Sequence, residues 1–219
     1  MSAVVLLSGG IDSTVALTLA LREHESVEAL SILYGQSHPD EVDHAARIAD
    51  DMGAEHTVLK LPYTALRDSH SALTGSREMP EQTYAEIAAS YGQSPTYVPF
   101  RNGTMLSLAT AHALRVGASE VWAGMHAEDA ANWAYPDCTP EFIGGMAAAI
   151  YVGSYHAVRL RTPLQWMTKT EVIRLGLTTG APLGLTLSCY RGSPPCETCP
   201  TCVSRAHAFA ELGIDDPAL

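Results

Sequence analysis

Val4-Val5-Leu6-Leu7-Ser8-Gly9-Gly10-Ile11-Asp12-Ser13-Thr14 is the stretch that decides the fold of this chain. Its apolar start predicts a buried strand, and the Ala- and Leu-rich run over residues 14–21 predicts a helix. Between them, two glycines let the backbone turn tightly and approach an anion closely. A helix start then offers free N–H groups and the positive end of the helix dipole. The order of strand, glycine turn and helix therefore predicts a binding site for a pyrophosphate group.

The segments that follow continue this alternation. Residues 27–33 and 56–61 predict two more buried strands, and residues 38–52 place apolar side chains on one face of a helix. Strand, helix, strand, helix, strand is typical of a doubly wound parallel sheet, so we predict a Rossmann-like α/β fold. Residues 62–97 predict a long loop, usually a functional feature, with a short helix near residues 84–91. The remaining predicted elements are helices over 104–116, 140–151, 170–180 and 203–212, and strands over 120–123 and 157–160.

Composition and charge limit what the chain can be. It has 219 residues, of which 47% are hydrophobic and 17% charged, which is typical of a globular protein and excludes a disordered one. A formal net charge of -11 argues against a nucleic acid partner, because non-specific binding to nucleic acid needs a basic surface. No apolar run approaches the ~20 residues that span a bilayer. The N-terminus lacks a signal-peptide pattern, so we expect a cytoplasmic protein with no membrane partner.

Four of the five cysteines lie in one short segment near the C-terminus. Two-residue gaps let successive thiolates reach one tetrahedral ion at ~2.3 Å, and the glycine and prolines between them favour a stiff knuckle. Four sulfur ligands close the coordination sphere, so we predict one structural zinc ion per chain, followed by the terminal helix. The alternative is a set of free or redox-active thiols. The predicted zinc ligands are Cys189, Cys196, Cys199 and Cys202.

The glycine turn carries its own set of polar groups. Ser8, Ser13 and Thr14 add hydroxyl donors, whereas the carboxylate of Asp12 is better suited to a Mg²⁺ ion that bridges phosphates. The stretch lacks the Gly-Lys-Ser/Thr ending of a P-loop and the Rossmann glycine spacing. The alternative is a glycine turn and a capped helix that bind no ligand. The predicted nucleotide-binding residues are Leu7, Ser8, Gly9, Gly10, Ile11, Asp12, Ser13, Thr14, Val15, Ala16 and Leu17.

The string Ser8-Gly9-Gly10-Ile11-Asp12-Ser13 resembles the motif of the N-type ATP pyrophosphatases, or PP-loop enzymes. Members of that superfamily transfer AMP from ATP to a substrate oxygen and release pyrophosphate, after which a nucleophile displaces AMP. The resemblance implies an adenine nucleotide alpha hydrolase-like fold that uses ATP with Mg²⁺ for adenylation.

Combined with the four-cysteine knuckle, the motif resembles the 7-cyano-7-deazaguanine synthases, the QueC family of queuosine biosynthesis. The similarity runs from about residue 4 to the end of the chain, and it implies a homodimer. It also implies an ATP-binding domain with the substrate pocket over residues 1–185 and a zinc-binding segment over 186–219. The strings that carry the resemblance are Tyr34-Gly35-Gln36, Val98-Pro99-Phe100-Arg101-Asn102, Ala127-Glu128-Asp129, Tyr135-Pro136-Asp137-Cys138, Glu141-Phe142, Pro163-Leu164, Thr168-Lys169-Thr170-Glu171-Val172-Ile173-Arg174-Leu175-Gly176 and Ser188-Cys189-Tyr190.

The family's reaction gives roles to three charged residues. ATP would adenylate the carboxylate of 7-carboxy-7-deazaguanine, ammonia would displace AMP to give an amide, and a second adenylation would dehydrate the amide to the nitrile. Because the carboxylate and ATP are both anionic, cations must lie between them. The resemblance therefore implies Asp12 with its Mg²⁺, Arg101 and Lys169 as the catalytic residues of a ligase that forms C–N bonds. The alternatives are a surface cation for Arg101 and an ordinary helix-start residue for Lys169.

A deazaguanine ring needs an acidic or amide partner for its N1–H and 2-amino groups, and an aromatic face. Several such side chains lie in one stretch, which would also serve as an ordinary loop and helix start. Gln36 and His38 are candidates for the ATP or ammonia side. The predicted substrate-binding residues are Gln36, Arg101, Asp129, Trp133, Tyr135, Asp137, Glu141 and Phe142.

Some residues near the predicted pocket depart from the family pattern. The stretch over residues 130–134 is longer than usual, Ser37-His38-Pro39 stand where basic residues are more usual, and Phe100 replaces a small residue. One alternative is therefore a PP-loop enzyme that stops at the amide or adenylates another carboxylate. A tRNA thiolase of the same superfamily is disfavoured by the acidic charge and by the lack of an extra RNA-binding domain. A nucleotide-binding, zinc-stabilised module without turnover is the remaining alternative.

Overall fold

One parallel sheet organises the chain, and its middle strand is the strand of the opening stretch. The computed structural model describes residues 2–36, 40–62, 66, 70–75, 77–81, 83–89 and 93–219. Within these residues the strand order is β3-β2-β1-β4-β5, and every neighbouring pair is parallel. The strands are β1 (Ser2–Leu6), β2 (Ser26–Leu33), β3 (Glu55–Lys60), β4 (Glu120–Trp122) and β5 (Arg159–Arg161).

Helices cover both faces of the sheet. The α-helices are α1 (Ile11–Glu23), α2 (Asp40–Asp51), α3 (Tyr84–Ala89), α4 (Arg101–Val116), α5 (Ala127–Ala130), α6 (Pro140–Gly153), α7 (Lys169–Thr179) and α8 (Pro200–Glu211). Short 3-10 helices span Ala131–Trp133, Pro136–Cys138 and Leu183–Leu185. No helix of the described residues combines the length and the apolar character needed to cross a bilayer.

The alternation of side chains along the strands builds two core layers. Val4 of β1 packs with α4 and α6 on one face, whereas Ala3 and Val5 pack with α1 and α2 on the other. A third cluster joins α1 to α7 and α8, and it includes the buried ring of Phe209. Strands buried on both faces explain the continuous apolar runs in the sequence.

The strand order indicates that a ligand site lies at the carboxyl ends of β1 and β4. The chain leaves β1 toward β2 and β3, and later returns to pair β4 against the other side of β1. In such sheets the crevice at the carboxyl ends of the strands, where the order reverses, is the usual binding position. The residues that follow β1 and β4 meet there.

The predicted doubly wound parallel fold is confirmed, and the differences lie at element ends and in a few short unpredicted elements. The predicted start of the second helix at residue 38 lies outside the described residues, as does residue 91 at the end of the predicted short helix. The terminal helix begins at Pro200 rather than residue 203, because proline suits the first helical position. The last strand lies at Arg159–Arg161 rather than 157–160. Helix α5 and the 3-10 turns after it were not predicted.

Candidate active site and metal centre

The glycine turn between β1 and α1 is folded tightly against two other segments. Gly9 has a φ of +88°, and a Cβ atom there would lie 2.4 Å from the backbone oxygen of Glu41. Only glycine fits such a position without moving the backbone of α2. On the other side, Leu187 donates its N–H to the oxygen of Gly9 at 2.9 Å. The turn is therefore held in one conformation from both sides.

The hydroxyl groups of the turn divide into two kinds. Ser8 and Ser13 line the cleft, and their Oγ atoms lie 3.0 Å apart. Thr14 is fully buried and donates its hydroxyl to the oxygen of Gly10 at 2.8 Å, so it supports the turn from inside. Within the described part of the chain, no side chain caps the start of α1. The first N–H groups of this helix remain available to an anion.

Gly124, directly after β4, allows this turn to approach the neighbouring strand. A Cβ atom on Gly124 would lie 2.7 Å from the carbonyl carbon and oxygen of Asp12. The close approach brings the start of α1 beside the end of β4. The predicted nucleotide-binding residues farther along α1, Val15, Ala16 and Leu17, are completely buried in the core and do not line the cleft.

Asp12 and Lys169 meet at the mouth of the turn. The Nζ atom of Lys169 donates to both carboxylate oxygens of Asp12, at 2.6 and 2.7 Å. Lys169 is the first residue of α7, fixed by a capping box in which Thr168 and Glu171 bond each other's backbone N–H groups. Burial alone would raise the pKa of Asp12, but the charges of Lys169 and His126 outweigh it and lower that pKa overall.

His126 is a cleft residue that sequence reasoning missed. It is 4% exposed, and its Nε2 atom lies 3.6 Å from Asp129 and 3.9 Å from Asp12. Its Nδ1 atom is buried without a hydrogen-bond partner among the described residues. A lone histidine follows no spacing rule, and its place just after β4 was the signal available in the sequence.

Arg101, the first residue of α4, lines the opposite side of the cleft. Its guanidinium donates to the hydroxyl of Tyr34 at 3.2 Å and lies 5.8 Å from the centre of that ring. Among the described residues no carboxylate lies within 4.0 Å of it. Gln36 lines the same region and accepts the N–H of Tyr34 through its Oε1 at 3.0 Å. His38 lies outside the described residues.

Glu41, in the first turn of α2, is a second cleft residue that the sequence analysis did not single out. Burial raises its pKa to about 7, although the charge of Arg101 acts in the opposite direction. Acidic residues are common in the first turn of a helix. The sequence therefore gave no reason to separate Glu41 from its neighbours Asp40 and Asp43.

The predicted substrate-binding stretch is split by the structure. Asp129 and Tyr135 line the cleft together with the buried thiol of Cys138. Asp137 is 3% exposed and turns away from the cleft, where its Oδ2 accepts the N–H of Asn102 at 2.9 Å and so satisfies the start of α4. Because Asn102 follows Arg101 directly in α4, this bond helps to fix the position of Arg101 as well.

Three other members of that set do not line the cleft. Trp133 is 62% exposed and has a φ of +61°. Glu141 is exposed at the start of α6. Phe142 packs edge-on against Phe100, with ring centres 5.5 Å apart. Phe100, which replaces the small residue usual in the family, thus packs against a side chain outside the cleft.

The four C-terminal cysteines form a candidate metal centre. The Sγ atoms of Cys189, Cys196, Cys199 and Cys202 all lie within 4.8 Å of one another, and none forms a disulfide. The sulfur of Cys189 accepts the N–H groups of Arg191 and Cys196, and the sulfur of Cys196 accepts the N–H of Cys199. Such donors stabilise sulfurs that carry negative charge. The geometry fits a tetrahedral metal ion.

This metal centre is also a wall of the cleft. Ser188, Cys189, Tyr190, Thr201 and Ser204 all line it. The cleft has a volume of about 270 Å³. It brings together the glycine turn, the residues after β2 and β4, the starts of α2, α4 and α7, and the knuckle.

Comparison with known proteins places the chain. The profile of the family described as queuosine biosynthesis protein QueC matches residues 2–213. The chain is 40% identical to the 7-cyano-7-deazaguanine synthase of Archaeoglobus fulgidus, with 100% of this chain and 90% of that protein covered. It is 37% identical to the synthase of the same name from Persephonella marina, with 99% and 95% covered.

The similarity to a solved structure of low sequence identity supports the fold of this chain but not its function. The U34-tRNA thiolase NcsA from Methanococcus maripaludis, described with its 4Fe-4S cluster, superposes with a TM-score of 0.54 at 14% identity. The match covers 96% of this chain and 65% of the thiolase. The whole-length profile match and the high identity to the two synthases together show that this chain belongs to the QueC family.

Proposed function

We propose that this chain is a 7-cyano-7-deazaguanine synthase, which converts 7-carboxy-7-deazaguanine and ammonia into the nitrile at the expense of ATP. Its family membership and the names of its relatives support this function. The observation that carries it is the meeting of an uncapped helix start, Lys169 and Arg101 in one cleft. These groups supply positive charge where two anionic reactants must react.

The bond changes of the first half give an amide. A carboxylate oxygen attacks the α-phosphorus of ATP, and the bond to pyrophosphate breaks. Ammonia then attacks the carbonyl carbon, AMP leaves, and the nitrogen loses one proton. In the second half the amide oxygen attacks another ATP and the nitrogen loses a proton. Loss of AMP and of the last N–H proton then leaves the carbon–nitrogen triple bond.

We assign roles in this reaction to several charged and polar residues of the cleft according to their positions. We assign the N–H groups at the start of α1, with Ser8 and Ser13, to the pyrophosphate group. Lys169 supplies a positive charge at the departing phosphates, and Arg101 binds the substrate carboxylate. The carboxylate of Asp12, which is a quarter exposed, is a suitable oxygen ligand for Mg²⁺, whose charge would further stabilise the phosphates.

We assign a structural zinc ion to the four cysteines. Four sulfurs leave no open position for a substrate, so the ion would stabilise the fold rather than react. The chain would then consist of an ATP-binding domain over residues 1–185 and a zinc-binding segment over 186–219, both of which contribute to the cleft. A homodimer is also proposed, and exposed Gly145 and Ala149 on α6 offer a smooth face to a second copy. Its mass in solution, measured by light scattering, tests that assembly.

The reaction itself is tested by its products. The protein is incubated with ATP, ammonium and 7-carboxy-7-deazaguanine, and the products are identified by mass spectrometry. We expect the nitrile, with the amide as a transient species. Accumulation of the amide alone would support the alternative of a PP-loop enzyme whose product is the amide. The absence of pyrophosphate release would favour a nucleotide-binding module without turnover.

A further inference from the structure

Glu41 and Arg101, an acidic and a basic residue, lie in the same cleft, yet they do not pair. No ion pair within 4.0 Å joins either residue to another described residue, and both line the cleft. A buried charge without a partner destabilises a folded protein. An acidic and a basic group that form no ion pair with any described residue, in one cavity, indicate a ligand with complementary groups at its two ends.

The other carboxylates near the cleft are already engaged. Asp12 is held by Lys169 at 2.6 Å, and Asp137 accepts the N–H of Asn102 at 2.9 Å. Asp129 faces His126 at 3.6 Å. Glu41 differs from them because no described side chain bonds or pairs with its carboxylate, so we infer that its oxygens accept from a ligand.

Helix stability does not explain the burial of Glu41. A helix start favours a charged carboxylate and would lower its pKa, whereas burial raises the pKa of Glu41 to about 7. Asp43 is exposed in the same turn and can interact with the dipole from there. The position of Glu41 is thus costly for the free protein, as expected of a group arranged for binding.

The proposed substrate has the matching chemistry. The N1–H and 2-amino groups of a 7-deazaguanine ring are neighbouring parallel donors, which one carboxylate can accept together. The 7-carboxylate lies on the other ring of the same molecule. We propose that Glu41 binds the N1–H and 2-amino edge of the base while Arg101 binds its carboxylate. This inference rests on the proposed function and adds to it the residue that recognises the base.

Calorimetry without ATP tests this assignment. The Kd of 7-carboxy-7-deazaguanine is compared with that of the analogue that lacks the 2-amino group, for the wild type, Glu41→Gln and Asp43→Asn. We expect the wild type to prefer the 2-amino compound by roughly 10-fold or more, because the analogue leaves a buried acceptor unpaired. Glu41→Gln should lose most of that preference while its Kd for ATP stays unchanged. Asp43→Asn, exposed on the same turn, should behave as the wild type.

The outcomes separate this inference from the function on which it rests. If Glu41→Gln keeps the wild-type preference, or loses affinity for ATP instead, Glu41 does not read the base, although the synthase function stands. If the wild type binds neither compound and forms no nitrile, the proposed function fails and the assignment of Glu41 with it. A melting temperature of Glu41→Gln no lower than that of the wild type shows that the variant is folded.

Discussion

Lys169 holds both carboxylate oxygens of Asp12, and the pair joins the starts of α1 and α7. Behind it the two helices are in close contact, since a Cβ atom on Gly176 would lie 2.9 Å from Cγ2 of Val15. Two helix starts, each with the positive end of its dipole, therefore converge on one point of the cleft. Asp12 keeps the ammonium of Lys169 at that point.

The substitution Asp12→Asn removes the charge and keeps the shape. We expect pyrophosphate release to fall by roughly 100-fold or more, because the phosphates lose a metal ligand and a well-placed ammonium. The free energy of unfolding should fall by only about 1–3 kcal/mol, the cost of an unpaired buried donor. A coupled pyrophosphate assay and thermal melting measure both, with Asp43→Asn as the control. Wild-type rates in Asp12→Asn would show that Asp12 has no part in the reaction.

Gly124→Ala tests the close approach of β4 to the phosphate-binding turn. The added methyl group would lie 2.7 Å from the backbone of Asp12, so the turn or the strand must move. We expect a loss of stability of about 1–3 kcal/mol, typical of overpacking, and a higher KM for ATP. Gly144→Ala is the matched control, because nothing lies within 4 Å of its Cβ position. It should stabilise α6 by about 0.5–1 kcal/mol. An unchanged KM for ATP in Gly124→Ala would contradict the assignment of the turn.

The parts of the site that could be predicted from the sequence are those set by local patterns. The glycine turn follows from a strand, two glycines and a helix that are adjacent in the chain. The cysteine spacing brings the four sulfurs together for the same reason. Asp12 and Lys169 lie 157 residues apart in the chain. The sequence analysis placed both at one reaction centre because of their charges, but it did not predict that they bind each other.

The parts that could not be predicted depend on which way single side chains point. Asp129, Asp137 and Glu141 lie in one stretch, but two 3-10 turns intervene and send them in different directions. Burial, which distinguishes Glu41 from Asp43, arises from packing between α2 and the glycine turn and leaves no mark in the sequence. His126 was missed for the same reason.

Asp216→Asn tests how the C-terminal segment supports the cleft. Arg205 is bound by both oxygens of Asp216, at 2.5 and 2.8 Å, and donates to Thr186 at 2.8 Å. The next residue, Leu187, contacts the glycine turn. Because the variant leaves the guanidinium of Arg205 buried without its counterion, we expect a destabilisation of about 3 kcal/mol and weaker ATP binding.

The matched control for this pair is Asp215→Asn, since Asp215 is exposed beside it. Chemical denaturation and the Kd of ATP are measured for both variants. Equal stability of the two would mean that the buried pair of Arg205 and Asp216 contributes nothing to the fold.

Cys199→Ser tests the metal centre and its role as a wall of the cleft. We expect loss of bound zinc and a lower melting temperature, because a structural metal site is coupled to folding. Since Cys189 and Tyr190 line the cleft, the KM for ATP or for the deazaguanine acid should rise as well. Cys138→Ser, outside the cluster, should retain its zinc by elemental analysis. Full metal content in Cys199→Ser would exclude this sulfur as a ligand.

Glu41→Gln should change how stability depends on pH. The pKa of Glu41 is raised from 4.5 to about 7 in the folded protein, so between these values the unfolded chain loses the proton while the folded one keeps it. The wild type therefore loses stability relative to Glu41→Gln as the pH rises from 4.5 to 7, and the difference is constant above that. At 1.36 kcal/mol per pKa unit it reaches at most about 3 kcal/mol. Denaturation in urea at several pH values measures it, with Asp43→Asn as a control whose carboxyl stays in solvent in both states. A difference that stays flat across this range would mean that the carboxyl of Glu41 is charged in the free protein and already has a partner.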